Sequence, residues 1–163
     1  MNQGVHTDDL LIAALGRPDE VFAYTATLAH ERIEVEDVAV GVVKFESGAV
    51  GVLHATTAAY PGLSARLQVH GDRGSAVIDN DHLAYFETGT GKAVTGTTSQ
   101  QAVPTAGSSP GELSDAHRLQ YLNFLGALDG TEELRVDLET NRRPIAVITG
   151  AYESARTGRP VRL

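Results

Sequence analysis

The sequence predicts an α+β fold, a mostly antiparallel open sheet with helices packed on one face. Strand signals are grouped between Val21 and Glu87, helical spacing of apolar residues lies at the two ends, and short turns join the strand-like runs. A chain of 163 residues with 42% hydrophobic and 21% charged content is enough for one ordinary core.

The central stretch runs from Val35 to Asp79. Val38 to Phe45 is rich in β-branched residues, Ser47-Gly48 is a tight-turn pair, and Ala49 to Thr57 runs back. A two-residue loop sets Phe45 opposite Val50, Val43 opposite Val52 and Gly41 opposite His54; a bulge at Gly48 shifts that register by one. In either register both faces are largely apolar, whereas antiparallel hairpins commonly leave one face wet. Helices can cover one side. The other calls for a partner sheet, most simply that of a second copy.

The remaining elements follow in order. Thr7 to Leu15 has a helical stripe of Leu10, Leu11, Ala14 and Leu15, with Thr7 or Asp8 as N-cap and Gly16 and Pro18 as stop. Val21 to Ala29 alternates as a strand, and His30-Glu31-Arg32 is a polar break. Tyr60-Pro61-Gly62 is a turn; Ala65 to His70 and Ser75 to Asp79 form a second hairpin, followed by a strand at Leu83 to Glu87. From Thr88 to Pro110 the composition turns to Gly, Thr, Ser, Pro and Gln, which predicts a mobile excursion over residues 88–110 with a short edge strand near Lys92 to Val94. Ser114 or Asp115 caps a helix ending at Gly130, and a last helix runs from about Asn141 to Arg156. Pro144 belongs in its first turn, so its start is expected near Thr140. Gly150 inside it points to close packing on the sheet.

Composition excludes several classes of function. Thirteen basic against 21 acidic residues give a net charge of -8, which argues against nucleic acid or anionic membrane as a partner. With no cysteine there is neither disulfide nor thiolate chemistry. Met1 to Leu10 has no basic or apolar signal region, and no apolar run is long enough to span a membrane, so a cytoplasmic location is expected. The six histidines include no i, i+4 pair on a helix, and no glycine-rich loop follows a strand and opens a helix; metal and phosphate sites are therefore not expected.

His6 is the histidine with a catalytic case. It stands at the mouth of the first helix, with Asn2 four residues before and Asp9 three after, a spacing that groups them on one side of the turn. An imidazole beside such a partner is a usual general base, although an N-terminal polar residue can equally be a solvated one. Asp9 and His117 are candidate substrate contacts; Asp9 can also serve the helix dipole alone, and His117 can be an exposed first-turn residue. His54, on an apolar strand face, reads as an interface histidine.

Four stretches together resemble one family. Asn2-Gln3-Gly4-Val5-His6-Thr7-Asp8-Asp9-Leu10-Leu11 is similar to the N-Q-G-x-H-x-x-D-L-L segment of the glucose–fructose oxidoreductase/inositol dehydrogenase/MocA (Gfo/Idh/MocA) family. Val35-Glu36-Asp37 with Phe45-Glu46-Ser47-Gly48-Ala49, His70-Gly71-Asp72-Arg73-Gly74-Ser75, and the ending Tyr152 to Val161 resemble its C-terminal half. The resemblance implies the sheet of a glyceraldehyde-3-phosphate dehydrogenase-like C-terminal domain, with helices on one face and the oligomer built on the other. It implies an NAD(P)-dependent oxidoreductase of sugars, inositols or related polyols. His6 would take the hydroxyl proton, and Asn2 stands where many members carry an aspartate. Residues 1–163 then form a single substrate and oligomerisation domain. The N-terminal Rossmann domain, with its Glu-Lys-Pro lysine, has no counterpart in the sequence. No cofactor is expected on this chain, NAD or NADP belonging to the full-length family, and no turnover is expected from it alone. A homo-oligomer through the helix-free sheet face, a Rossmann-domain partner and a sugar or polyol substrate are the expected partners. The alternative is a stand-alone dimeric interaction or scaffold module that has lost catalysis.

Overall fold

A computed structural model describes residues 4–80, 82–89, 94–95 and 110–163. The chain divides into two compact units, Met1–Val103 with Arg143–Leu163, and Pro104–Arg142. In chain order the elements are α1 (Gly4–Leu15), β1 (Pro18–Ala26), β2 (Val38–Phe45), β3 (Val50–Thr56), β4 (Arg66–Gly71), β5 (Gly74–Asp79), β6 (His82–Thr88), β7 (Val94–Thr95), α2 (Pro110–Leu128), α3 (Leu138–Thr157) and β8 (Val161–Arg162). Every strand pairing is antiparallel, and helices accompany the sheets as the α+β reading requires. The strands form two sheets, ordered β3-β2-β1-β8 and β4-β5-β6-β7. Residues 57–65, with the Tyr60-Pro61-Gly62 turn, lie between the two hairpins and carry no ladder. Most of the predicted 88–110 excursion lies outside the described residues; its edge strand is Val94–Thr95, paired with β6.

The central hairpin adopts the bulged register. Lys44 pairs with Val50, Val43 with Gly51, Val42 with Val52 and Val40 with His54. Gly48 is the cause: at φ 86° its N–H donates to the Phe45 carbonyl at 2.9 Å, while the Phe45 N–H donates to the Ala49 carbonyl at 3.0 Å. A left-handed residue at this point adds one position to the turn. Alternation then puts Ala39, Gly41, Val43, Phe45, Gly51 and Leu53 inside.

The core gathers Leu11 and Ile12 of α1, Val21 and Ala23 of β1, Val43 and Phe45 of β2, Leu67 of β4, and Val147 and Ala151 of α3. Gly150 lets α3 come close: a Cβ there would lie 2.6 Å from Leu163 Cδ2 and 2.9 Å from Val21 Cγ1. One helical turn on, the buried Ser154 Oγ accepts the Ala23 N–H at 3.0 Å and ties helix to strand. The helix begins at Leu138, ahead of the expected Thr140, because Asp137 caps it; its Oδ1 accepts the Thr140 N–H at 2.7 Å. Pro144 therefore sits in the second turn and removes one interior hydrogen bond. Likewise α1 already runs from Gly4, so neither Thr7 nor Asp8 is its cap. In the second unit α2 starts at Pro110, ahead of Ser114, and Asn123 binds the loop that follows it. Its Nδ2 donates to the Glu133 carbonyl at 2.9 Å and its Oδ1 accepts the Arg135 N–H at 3.0 Å.

Candidate functional site

Helix α1 sorts its polar side chains by face. His6 is exposed and Asp9 half-buried, three residues apart on one helix, with no hydrogen bond between them. Asn2 lies outside the described residues. Asp8 points the other way. It is 2% exposed among core residues, its Oδ2 has no hydrogen-bond partner among the described residues, and burial pushes its carboxyl up to about 7. His117 belongs to the second unit, where it is exposed and its Nδ1 lies 3.0 Å from Gln120 Oε1. His6 and Asp9 thus share a helix, and His117 stands on a separate unit.

A second polar cluster closes the loop between β1 and β2. The buried Asp37 carboxylate accepts the backbone N–H groups of Leu28, Ala29 and His30 at 2.8, 2.7 and 2.9 Å. The Leu28 and Ala29 amides hold it well below the usual carboxylate range. Its Oδ2 also lies 3.2 Å from His30 Nδ1. The neighbouring Glu36 accepts the Tyr152 hydroxyl of α3 at 2.7 Å; burial, with Glu36 beside it, pushes that phenol up to about 12. From sequence the His30 segment reads as a polar break only. Its signal, an aspartate seven residues after the histidine and just before a strand, has no recognisable spacing.

Among the described residues, the face of the first sheet away from the core is largely apolar and exposed. Phe22 and Tyr24 of β1 meet edge to face at 5.1 Å between ring centres. Beside them stand Val40 and Val42, then Val50 and Val52, with Tyr24 68%, Val50 63% and Val52 73% exposed. At one end, Glu20 Oε1 takes Lys44 Nζ at 2.8 Å, and Arg162 pairs with Glu20 and Asp19. His54 is exposed on this same face.

The described residues carry no dinucleotide-binding turn. All ladders are antiparallel, and no strand runs through a glycine-rich turn into a helix. No group of three or more His, Asp or Glu among them could hold a metal ion. No helix among them is long and apolar enough to cross a membrane.

With this geometry in place, the comparisons with known proteins are specific. The model of an oxidoreductase family's C-terminal alpha/beta domain matches residues 1–163. The chain belongs to the Gfo/Idh/MocA family, as its C-terminal domain. It is similar to the WlbA dehydrogenase of Chromobacterium violaceum, solved with NADH and UDP-GlcNAcA, at 30% identity and TM-score 0.75, over 100% of this chain and 45% of that one. The WlbA dehydrogenase of Bordetella pertussis, solved with the same two ligands, gives 29% identity and TM-score 0.75, over 100% and 44%. An Agrobacterium radiobacter oxidoreductase at 22% identity and TM-score 0.76, over 98% and 47%, shows the same fold. This Gfo/Idh/MocA chain therefore spans less than half the length of these structures. A comparison with curated proteins finds no match.

Proposed function

We propose that the chain is the substrate-contacting and self-associating half of an NAD(P)-dependent oxidoreductase of sugars or polyols. In this reading His6, exposed on α1, accepts the hydroxyl proton of the substrate, and Asp9 three residues on along the same helix assists it. The nucleotide is held outside these 163 residues, so the chain alone neither binds NAD(P) nor turns substrate over. The observation that supports the association is the face on which Tyr24, Val40, Val42, Val50 and Val52 are exposed among the described residues, with Phe22 half-buried beside Tyr24. Five exposed apolar side chains on three adjacent strands make a patch of the kind that water-facing surfaces rarely keep. A flat antiparallel face matches its own copy under a two-fold axis, since each residue then meets the same set on the partner.

The relatives at 29% and 30% identity were solved with UDP-GlcNAcA, which favours a nucleotide-linked sugar as the substrate class. Light scattering on the isolated chain tests the association. An even-numbered oligomer is expected, and a monomer at high concentration would overturn that part. Calorimetric titration with NAD+ and NADP+ tests the other part: no heat of binding is expected, and micromolar affinity would refute it.

A further inference from the structure

The loop between β1 and β2 is fastened more firmly than a connector requires. Three amides grip the Asp37 carboxylate, the Thr27 hydroxyl donates to the Val35 carbonyl at 2.9 Å, and Tyr152 holds Glu36 from α3. Inside this frame Arg32 takes a φ of 61°, a conformation that side-chain-bearing residues adopt at a cost. The loop is thus built to present something in a fixed pose.

What it presents is the His30 imidazole. Asp37 is ionised by its amide partners, so it can only accept, and the ring nitrogen 3.2 Å from its Oδ2 must carry the proton. Nδ1 is therefore the N–H, and in the neutral ring Nε2 is left as the acceptor. The His30 side chain is 45% exposed while that of Asp37 is fully buried, and among the described residues Nε2 has no partner. A buried carboxylate fixing the tautomer of a solvent-facing histidine is the arrangement that readies an imidazole to receive a donor.

We propose that His30 Nε2 is a ligand contact that accepts a hydrogen bond from a hydroxyl of the bound sugar, and that Asp37 is its positioning residue. The lone pair left on Nε2 accepts from an O–H or N–H donor, of which a sugar offers several, and gives nothing to a bare anion. The inference rests on the substrate-half reading above and adds a contact to it.

The test uses the 163-residue chain labelled with 15N-histidine. Long-range proton–nitrogen NMR reports which ring nitrogen is protonated, and Nδ1–H is expected for His30; an Nε2–H ring overturns the proposal. Titration with UDP-GlcNAcA is expected to move the His30 Nε2 resonance, and UDP alone to leave it in place. His30→Phe keeps a ring without the acceptor and is expected to bind UDP-GlcNAcA roughly three- to tenfold more weakly. Its Tm is expected to fall only slightly, because Asp37 keeps its three amide donors. Binding that leaves Nε2 unmoved, or equal affinity in the variant, overturns the contact while the sugar site stands. No binding to the wild-type chain at millimolar ligand overturns both. Should His30→Phe not fold, the wild-type resonances decide alone.

Discussion

Asp8 sits on the core side of α1, and its burial, with no partner for Oδ2 among the described residues, makes its charged form expensive. Its carboxyl is raised from 3.8 to about 7, so the folded chain holds a proton there that the unfolded chain has released. Stability from this group is complete below pH 3.8 and is lost as pH rises through about 7. The whole effect at pH 8 is at most about 4 kcal/mol. Asp8→Asn is expected to stabilise the chain by about 2–4 kcal/mol at pH 8 and to change little at pH 4. Urea melts at the two pH values check this, and an equal gain at both would refute the desolvation argument. Asp37 behaves in the opposite sense. Its depressed carboxyl contributes stability that is complete above the unfolded value of 3.8 and is lost progressively as pH falls from there through the lower value of the folded carboxyl. Asp37→Ala strands three amide donors, and its melting temperature is expected to fall below wild type at pH 7 but to approach it at pH 2.

Gly150 and Gly48 matter to whole elements. Helix α3 rests on β1 and β8 at a distance that has no room for a methyl group between Gly150 and Val21. In an isolated helix alanine is favoured over glycine by ~1 kcal/mol, yet here Gly150→Ala is expected to destabilise by about 1–3 kcal/mol through overpacking. Chemical denaturation decides the sign; a stabilised variant would mean that Leu163 and Val161 simply move aside. Gly48 sets the hairpin register through its φ of 86°. Gly48→Val meets no neighbour within 4 Å and is expected to cost about 1–2 kcal/mol from backbone strain alone.

For the molecule as a whole, the outward sheet face decides whether the chain lives alone. Val42 and Val52 face each other on it and contribute nothing to the chain's own core. Val52→Lys is therefore expected to leave the melting profile of the diluted chain within ~0.5 kcal/mol of wild type. In light scattering the same variant is expected to shift the mass to that of a monomer. An unchanged oligomer would place the interface elsewhere.

The α+β class, the order of elements and the two-sided apolar hairpin were legible from residue spacing, because periods of 2 and 3.6 are local and β2 and α3 repeat them over several turns. Helix starts were less legible: the Asp137 cap moved α3 earlier, and α1 carried Asp8 from an expected cap into the core. His6 and Asp9 could be proposed from one helix alone. The tautomer of His30 could not, because it depends on Asp37 folding back across a loop to meet it. The separation of the strands into two sheets was likewise not legible from spacing along the chain. Sequence by itself determined which side chains face together along each element; tertiary structure decided which buried charges found partners, since hydrogen bonds across loops have no period to read.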